Sequence, residues 1–251
     1  MSEATSTIYD RAAGNWARNE PVLLSDYTAR PFVFAACEPL KGLRVLDLGC
    51  GEGYVARTLA AKGTHSVLAY DISAGMIEKA REAEAAQPLG IEYRVGDASS
   101  DLQLGEGQFD LAIAVFLFNY LDTHQMQRVM QTAFRALKPD GRFIYTVPHP
   151  SLPFLRAKEE PFYFDRGAHG YFSGRNVLFE GRIWRRDGVD VPVRCVHKTF
   201  ADYFECLRAA GFATMPKVTE LRATEEHLRL DPRFFGPLKD QPLHVMFELR
   251  R

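Results

Sequence analysis

Short apolar runs and segments of helical period take turns along this chain, and the switches mark its elements. Leu43 to Leu48 is a short apolar strand that runs into a glycine cluster, and Tyr54 to Lys62 reads as a helix stopped by Gly63. Ser66 to Tyr70 is a second strand ending at Asp71, and Ser73 is placed to cap a helix running to about Ala86. Ile91 to Val95 and Phe109 to Val115 are the third and fourth strands. Asp122-Thr-His-Gln125 has capping-box spacing, and behind it Met126, Val129, Met130, Ala133, Phe134 and Leu137 recur on one helical face. Pro139-Asp-Gly141 then turns the chain into a fifth strand, Arg142 to Val147. Strands alternating with helices at this spacing predict an α/β fold, a doubly wound parallel sheet with helices on both faces.

Two segments break that rhythm. The first forty residues read as helical, with Ile8, Ala12 and Trp16 on one face and Pro21 and Pro31 dividing the segment into short pieces. Residues 151–198 hold two strand-like pieces, Asn176–Glu180 and Arg182–Arg186, and no convincing helix; eight of these 48 residues are aromatic, about 17% against 12% for the whole chain. We read 151–198 as an aromatic-rich lid or cap inserted into a single domain, 1–251, with 1–40 as an N-terminal helical lid. Lys198 to Ala210 is a helix stopped at Gly211, and Phe212 to Leu221 and Leu243 to Leu249 are candidate final strands.

Composition excludes several classes. Hydrophobic residues are 46% and charged residues 25%, ordinary for a globular chain, and 31 Lys and Arg against 32 Asp and Glu leave a net charge of −1. No strong field gathers nucleic acid or an anionic membrane. The longest apolar run, Leu111 to Leu121, is interrupted by Asn119 and falls short of the ~20 residues of a membrane span. The N-terminus lacks the basic start and apolar stretch of a secretory signal. Cys37, Cys50, Cys195 and Cys206 are far apart with no Cys-x-x-Cys pair, which reads as four reduced thiols in a cytoplasmic protein.

The richest segment joins the first strand to the first helix: Val45-Leu-Asp-Leu-Gly49-Cys-Gly51-Glu-Gly53. Glycines at such a junction let a ligand approach the backbone, and the helix start offers free N–H groups. The spacing is Gly-x-Gly-x-Gly, not the Gly-x-Gly-x-x-Gly of a dinucleotide fingerprint, and no Gly-Lys-Ser/Thr follows to make a phosphate loop. Asp47, two residues before the first glycine, would repel a pyrophosphate but suits an ammonium group. Asp71, 20 residues after Gly51, is placed to accept from two ribose hydroxyls. Asp97, after the third strand, is placed to accept from an adenine amino group. An amine, a ribose and an adenine without a pyrophosphate describe S-adenosylmethionine.

The chain resembles the class I methyltransferases that use S-adenosylmethionine, through VLDLGCGEG at 45–53, YDIS at 70–73, GDAS at 96–99, FDLAIAVFLFNYL at 109–121 and LKPDGRFIYTV at 137–147. The resemblance covers about 41–148, with a weaker echo on either side. It implies a Rossmann-like sheet of seven strands with the last antiparallel. It also implies that Gly49 and Gly51 lie under the methionine and ribose of the ligand, that Asp47 neighbours its ammonium, and that Asp71 holds the ribose hydroxyls. Ile72 and Met76 would pack on the adenine, Asp97 and Ala98 would fix its edge, and Phe116 would line the methionine part. Tyr9-Asp10…Trp16 is similar to the opening of many small-molecule members, in which the tyrosine closes over the ligand, and Arg30 is placed to meet the ligand carboxylate.

For the chemistry, His149 is the first candidate, because it follows the fifth strand and ligands gather at strand C-terminal ends; an imidazole there can take a proton near neutral pH. His197 is the second, and His169 a weaker one. The cap carries nine Lys and Arg against six Asp and Glu, so that one or two cations are candidates for an anionic acceptor. No His, Cys or carboxylate cluster has metal-ligand spacing, so no metal is expected. The reading is S-adenosylmethionine-dependent methyl transfer to a small-molecule acceptor by in-line displacement, leaving S-adenosylhomocysteine. The partner is a small molecule and not nucleic acid or membrane, and the protein is a monomer or homodimer. The alternatives are a binding module without catalysis and a methyltransferase acting on nucleic acid or protein. The former would bind the ligand yet transfer no label; against a nucleic-acid acceptor stands the lack of an Asn/Asp-Pro-Pro-Tyr/Phe motif at Asn119-Tyr120, while a protein acceptor stays open.

Overall fold

The sheet is organised around its first strand. β1 (Arg44–Leu48) lies between β2 (Ser66–Asp71) and β4 (Phe109–Val115), with β3 (Ile91–Val95) outside β2 and β5 (Leu137–Pro148) outside β4, all parallel. The computed structural model describes residues 20–100 and 102–251. β5 begins earlier than the pattern predicts: Leu137 already pairs with Phe109, and the Pro139–Gly141 segment is absorbed as an irregularity before Leu111 meets Arg142.

The two late strands complete the sheet. β10 (His244–Arg250) enters antiparallel between β5 and β9 (Lys217–Leu221), giving seven strands in the order β3-β2-β1-β4-β5-β10-β9 with β10 alone reversed. This is the Rossmann-like sheet that the resemblance implies.

Strand alternation divides the core into two layers. Tyr145, Val147, Val245 and Phe247 face α5 (Thr123–Ala136) and α7 (Phe200–Ala210), where Tyr145 stacks on Phe247 at 4.6 Å. Val45, Val67, Ile113, Ile144 and Met246 face α2 (Arg30–Cys37), α3 (Tyr54–Ala60) and α4 (Ala74–Ala86). Asp122 and Gln125 close the expected capping box at the start of α5, at 2.8 and 3.0 Å.

The cap is a small antiparallel sheet of β6 (Phe162–Asp165), β7 (Leu178–Trp184) and β8 (Asp190–Val196). The two pieces expected on either side of Gly181 are one strand. Gly181 lies mid-strand because the Tyr163 carbonyl and Phe164 press where a side chain would stand. A short helix, α6 (Leu152–Leu155), also forms in this segment, where no helix was expected.

At the other end, α1 (Leu24–Thr28) precedes α2. The segment is divided at Pro31 as expected: Pro31 stands in the first turn of α2, which it helps to start after α1 has ended at Thr28. Leu23 forms a β-bridge with Arg185, and the Arg186 N–H donates to the Val22 carbonyl at 2.9 Å, so the N-terminal segment is tied to the cap. Phe162, Phe164, Phe179 and Leu24 share one apolar cluster with Phe235 and Leu238, from the stretch joining β9 to β10, which includes α8 (Glu225–Leu230) and α9 (Pro232–Phe235).

Candidate active site

A cavity of about 380 Å³ opens at the carboxyl edge of the parallel strands, with the glycine loop on one side and the cap above. That size suits a small-molecule site. Its lower wall is made by the loop after β1. Gly49 and Gly51 take left-handed backbone angles, φ 79° and 55°, and the Gly49 and Cys50 N–H groups donate to the Tyr70 carbonyl at 2.8 and 2.9 Å. A side chain at Gly49 would meet Leu117 at 3.0 Å. Gly53, φ 87°, caps α3.

Three carboxylates predicted from the motifs converge on this cavity. Asp47 is 1% exposed, and neither of its oxygens has a hydrogen-bond partner among the described residues. Burial, reinforced by Asp71 and Glu52 and opposed by Arg30, pushes its pKa up to about 8. A buried carboxyl without donors is costly; a cation placed in the cavity relieves it, which fits an ammonium group. Asp71 is organised by the backbone: Oδ2 accepts from Gly51 N–H and Oδ1 from Ser73 N–H, both at 2.9 Å. Asp97 accepts from the N–H and hydroxyl of Ser99, both at 2.8 Å.

Ile72, Met76, Ala98, Phe116 and Arg30 also line the cavity. Ile72 is 51% exposed, which leaves its side chain available to a flat ligand group. Phe116 holds φ 61°, a strained angle for an aromatic residue, fixed by its N–H donating to Thr146 O at 2.9 Å. Arg30 lies 5.3 Å from the Phe116 ring and pairs with Asp26 at 2.8 Å. Tyr9 and Trp16 lie outside the described residues.

The two histidines proposed for chemistry do not line the cavity. His149 is 4% exposed and bonded at both nitrogens: Ser151 N–H donates to Nδ1 at 3.1 Å, so Nε2–H donates to Glu220 at 2.8 Å. Strand parity turns the ring away. Pro148 lines the cavity, and His149, one residue on, presents its ring to Phe200 of α7 on the opposite face at 5.1 Å. Burial lowers its pKa, partly offset by Glu220. His197 sits inside the cap, stacked on Phe179 at 5.5 Å, with Nε2–H donating to the Tyr171 carbonyl at 2.8 Å; burial lowers its pKa too.

None of the nine cap cations lines the cavity. Arg156 is buried against the carbonyls of Phe162, Glu160 and Pro237, and Lys198 against those of Leu121 and Val196. Arg175, Arg182, Arg185, Arg186 and Arg194 pair with Asp202, Asp190, Asp187, Asp231 and Glu180. The cap instead offers Phe162, Phe164, Ile183 and Val193.

One buried polar residue in the wall, His244, escaped the sequence reading, and a second, Asn119, entered it only as the break in an apolar run and as part of an incomplete motif. His244 begins the reversed strand, so its amino end, not its carboxyl end, meets the site; a search of carboxyl ends passes over it. Among the described residues no group of three or more His, Cys, Asp or Glu is placed to hold a metal ion, and no helix is long and apolar enough to cross a membrane.

Residues 45–141 match the methyltransferase-domain family. Over 154 residues the chain is 30% identical to the demethylmenaquinone methyltransferase of Clavibacter sepedonicus, covering 60% of this chain and 61% of that protein. Over 139 residues it is 30% identical to the ubiquinone biosynthesis O-methyltransferase of Sinorhizobium fredii, covering 53% and 54%. The chain thus spans about half to three fifths of these two relatives. The crystal structure of an S-adenosylmethionine-dependent methyltransferase from Mesorhizobium loti superposes with a TM-score of 0.67 at 25% identity, over 88% of this chain and 96% of that one. Residues 45–141 are thus a methyltransferase domain, and the chain shares the fold of an S-adenosylmethionine-dependent methyltransferase.

Proposed function

We propose that this enzyme transfers a methyl group from S-adenosylmethionine to a small, largely apolar acceptor held under the cap. The observation that carries the reading is that one cavity is lined by two chemistries. Asp47 lies near the end of β1, Asp71 ends β2 and Asp97 follows β3, and Phe162, Phe164, Ile183 and Val193 come from the cap. The two relatives named above, a demethylmenaquinone methyltransferase and a ubiquinone biosynthesis O-methyltransferase, support an apolar ring as acceptor.

Asp47 would hold the ligand ammonium, Asp71 the ribose hydroxyls, and Asp97 with the Ala98 N–H the adenine edge, while Ile72 and Met76 pack on the base. When bound, S-adenosylmethionine supplies a methyl group already activated on a sulfonium. The work left to this chain is to orient the acceptor and exclude water, and the cap would do both together with the N-terminal segment. A cytoplasmic location and a monomer or homodimer complete the reading.

The test is methyl-labelled S-adenosylmethionine offered with a panel of apolar phenols, amines and enolisable ketones, and separately with total RNA and a protein extract. Label is expected in a small-molecule product, with S-adenosylhomocysteine binding in the micromolar range and NAD not binding. Label only in RNA or protein would overturn the acceptor class. Tight ligand binding with no transfer to any acceptor would favour the binding-module reading.

A further inference from the structure

His244 is held as a neutral ring with one nitrogen reserved. Its Nε2 lies 3.1 Å from Thr28 Oγ1 in α1. The single hydroxyl proton of Thr28 goes to the Leu24 carbonyl at 3.0 Å. The hydroxyl oxygen therefore accepts from His244, so Nε2 carries the ring proton and Nδ1 carries the lone pair. Nδ1 is buried and has no hydrogen-bond partner among the described residues. Native structures satisfy nearly all such groups, and an exception in a cavity wall points to a ligand.

The surroundings keep the ring fixed and uncharged. His244 is 3% exposed, meets the edge of Phe116 at 5.2 Å and lies 6.4 Å from Phe162. Burial, with the charge of Arg30 nearby, pushes its pKa down to about 3. The resting ring is thus neutral at physiological pH, and its Nδ1 lone pair is open to a hydrogen-bond donor.

We propose that His244 Nδ1 accepts a hydrogen bond from an O–H or N–H of the methyl acceptor, so that the site takes neutral, protonated acceptors and turns away their anions. This rests on the reading that an apolar small molecule is methylated here. A phenolate or carboxylate at this position would set lone pair against lone pair. The cations of the cap do not line the cavity to offset that, and Arg30 already faces the Asp26 carboxylate. Thr28 acts through His244 as a positioning residue, because its hydroxyl selects the tautomer.

Two measurements test this on the full chain. The first titrates 4-propylphenol and its methyl ether, 4-propylanisole, into protein saturated with S-adenosylhomocysteine. The phenol is expected to bind about tenfold tighter than the ether, the worth of one buried hydrogen bond. His244→Phe keeps an aromatic ring between Phe116 and Phe162; it should abolish the preference while S-adenosylhomocysteine affinity stays within about threefold. A preference that survives in His244→Phe, or its absence in wild-type protein that binds S-adenosylhomocysteine, overturns the proposal. Wild-type protein that does not bind S-adenosylhomocysteine overturns the parent reading as well. The second measurement is long-range proton–nitrogen NMR on histidine-labelled protein, with His244 assigned by its loss in the variant. The expected ring is protonated at Nε2 and bare at Nδ1 from about pH 5 to about pH 9. A proton on Nδ1 at neutral pH overturns the proposal whatever the acceptor.

Discussion

Asp47→Asn should separate ligand binding from stability, in opposite directions. The wild-type carboxyl has a folded pKa of about 8 against 3.8 in its ordinary state, raised first by burial. Between those values the folded chain holds a proton that the unfolded chain releases, so stability falls as pH rises through that window. At pH 7 the full shift corresponds to about 4 kcal/mol; relaxation around a real buried charge reduces it to the order of 2–3 kcal/mol. The amide of the variant carries no such proton. Without ligand, the variant should match wild type near pH 4 and melt roughly 4–12 °C higher near pH 8, from about 2–4 °C per kcal/mol for a chain this size. Binding should move the other way. A ligand ammonium favours the ionised carboxylate, so S-adenosylhomocysteine binding to wild type at pH 7 should release up to about 0.9 proton. Calorimetry in buffers of different ionisation enthalpy reads that number directly. The variant should release none and bind about 10–100-fold more weakly. Equal affinity in the two proteins, or wild-type binding without proton release, would refute the assignment of Asp47 to the ammonium.

Three further outcomes follow from the same contacts. Asp71→Ala should weaken S-adenosylhomocysteine binding by about 10–100-fold, and, because Asp71 also holds the Gly51 and Ser73 N–H groups, speed hydrogen exchange at both; unchanged exchange would mean that the loop holds its shape alone. His149→Ala should leave S-adenosylhomocysteine affinity and methyl transfer within about threefold while costing about 1–3 kcal/mol of stability from the lost Glu220 and Ser151 bonds, as thermal unfolding will read; a large fall in turnover at unchanged stability would restore His149 to the chemistry. Lys198 has its pKa lowered to about 8 from 10.5 by burial, so the unfolded chain binds the extra proton between those values and wild-type stability should rise with pH across that window, a rise that Lys198→Met should flatten in melts from pH 7 to pH 10.

The cofactor half of the site was legible because it is local. Asp47, Gly49 and Gly51 belong to one strand-loop-helix junction, and Asp71 and Asp97 each terminate or follow a strand whose apolar run marks its end. Where a motif spans a single turn, spacing along the chain is nearly spacing in space. The parallel strands were legible for a similar reason, since period and punctuation name the element. The cap was less so: Gly181 looked like a break between two strands, and only its contact with Tyr163 and Phe164 shows that it is the middle of one.

By itself, then, the sequence determined the class of sheet, the glycine loop and the three carboxylates that face the cavity, because backbone preferences and strand ends are properties of neighbouring residues. Only the tertiary structure decided which histidine meets the site. His149 and His244 both lie where β5, β9 and β10 converge, yet one residue of register sends the His149 ring to Glu220 and Phe200 on the far face, while the reversal of β10 sets His244 opposite Pro148 on the near one. That choice depends on the pairing of strands about a hundred residues apart and on a hydroxyl from α1. A side chain's face is fixed by the parity and direction of its strand within the assembled sheet, which no local pattern encodes.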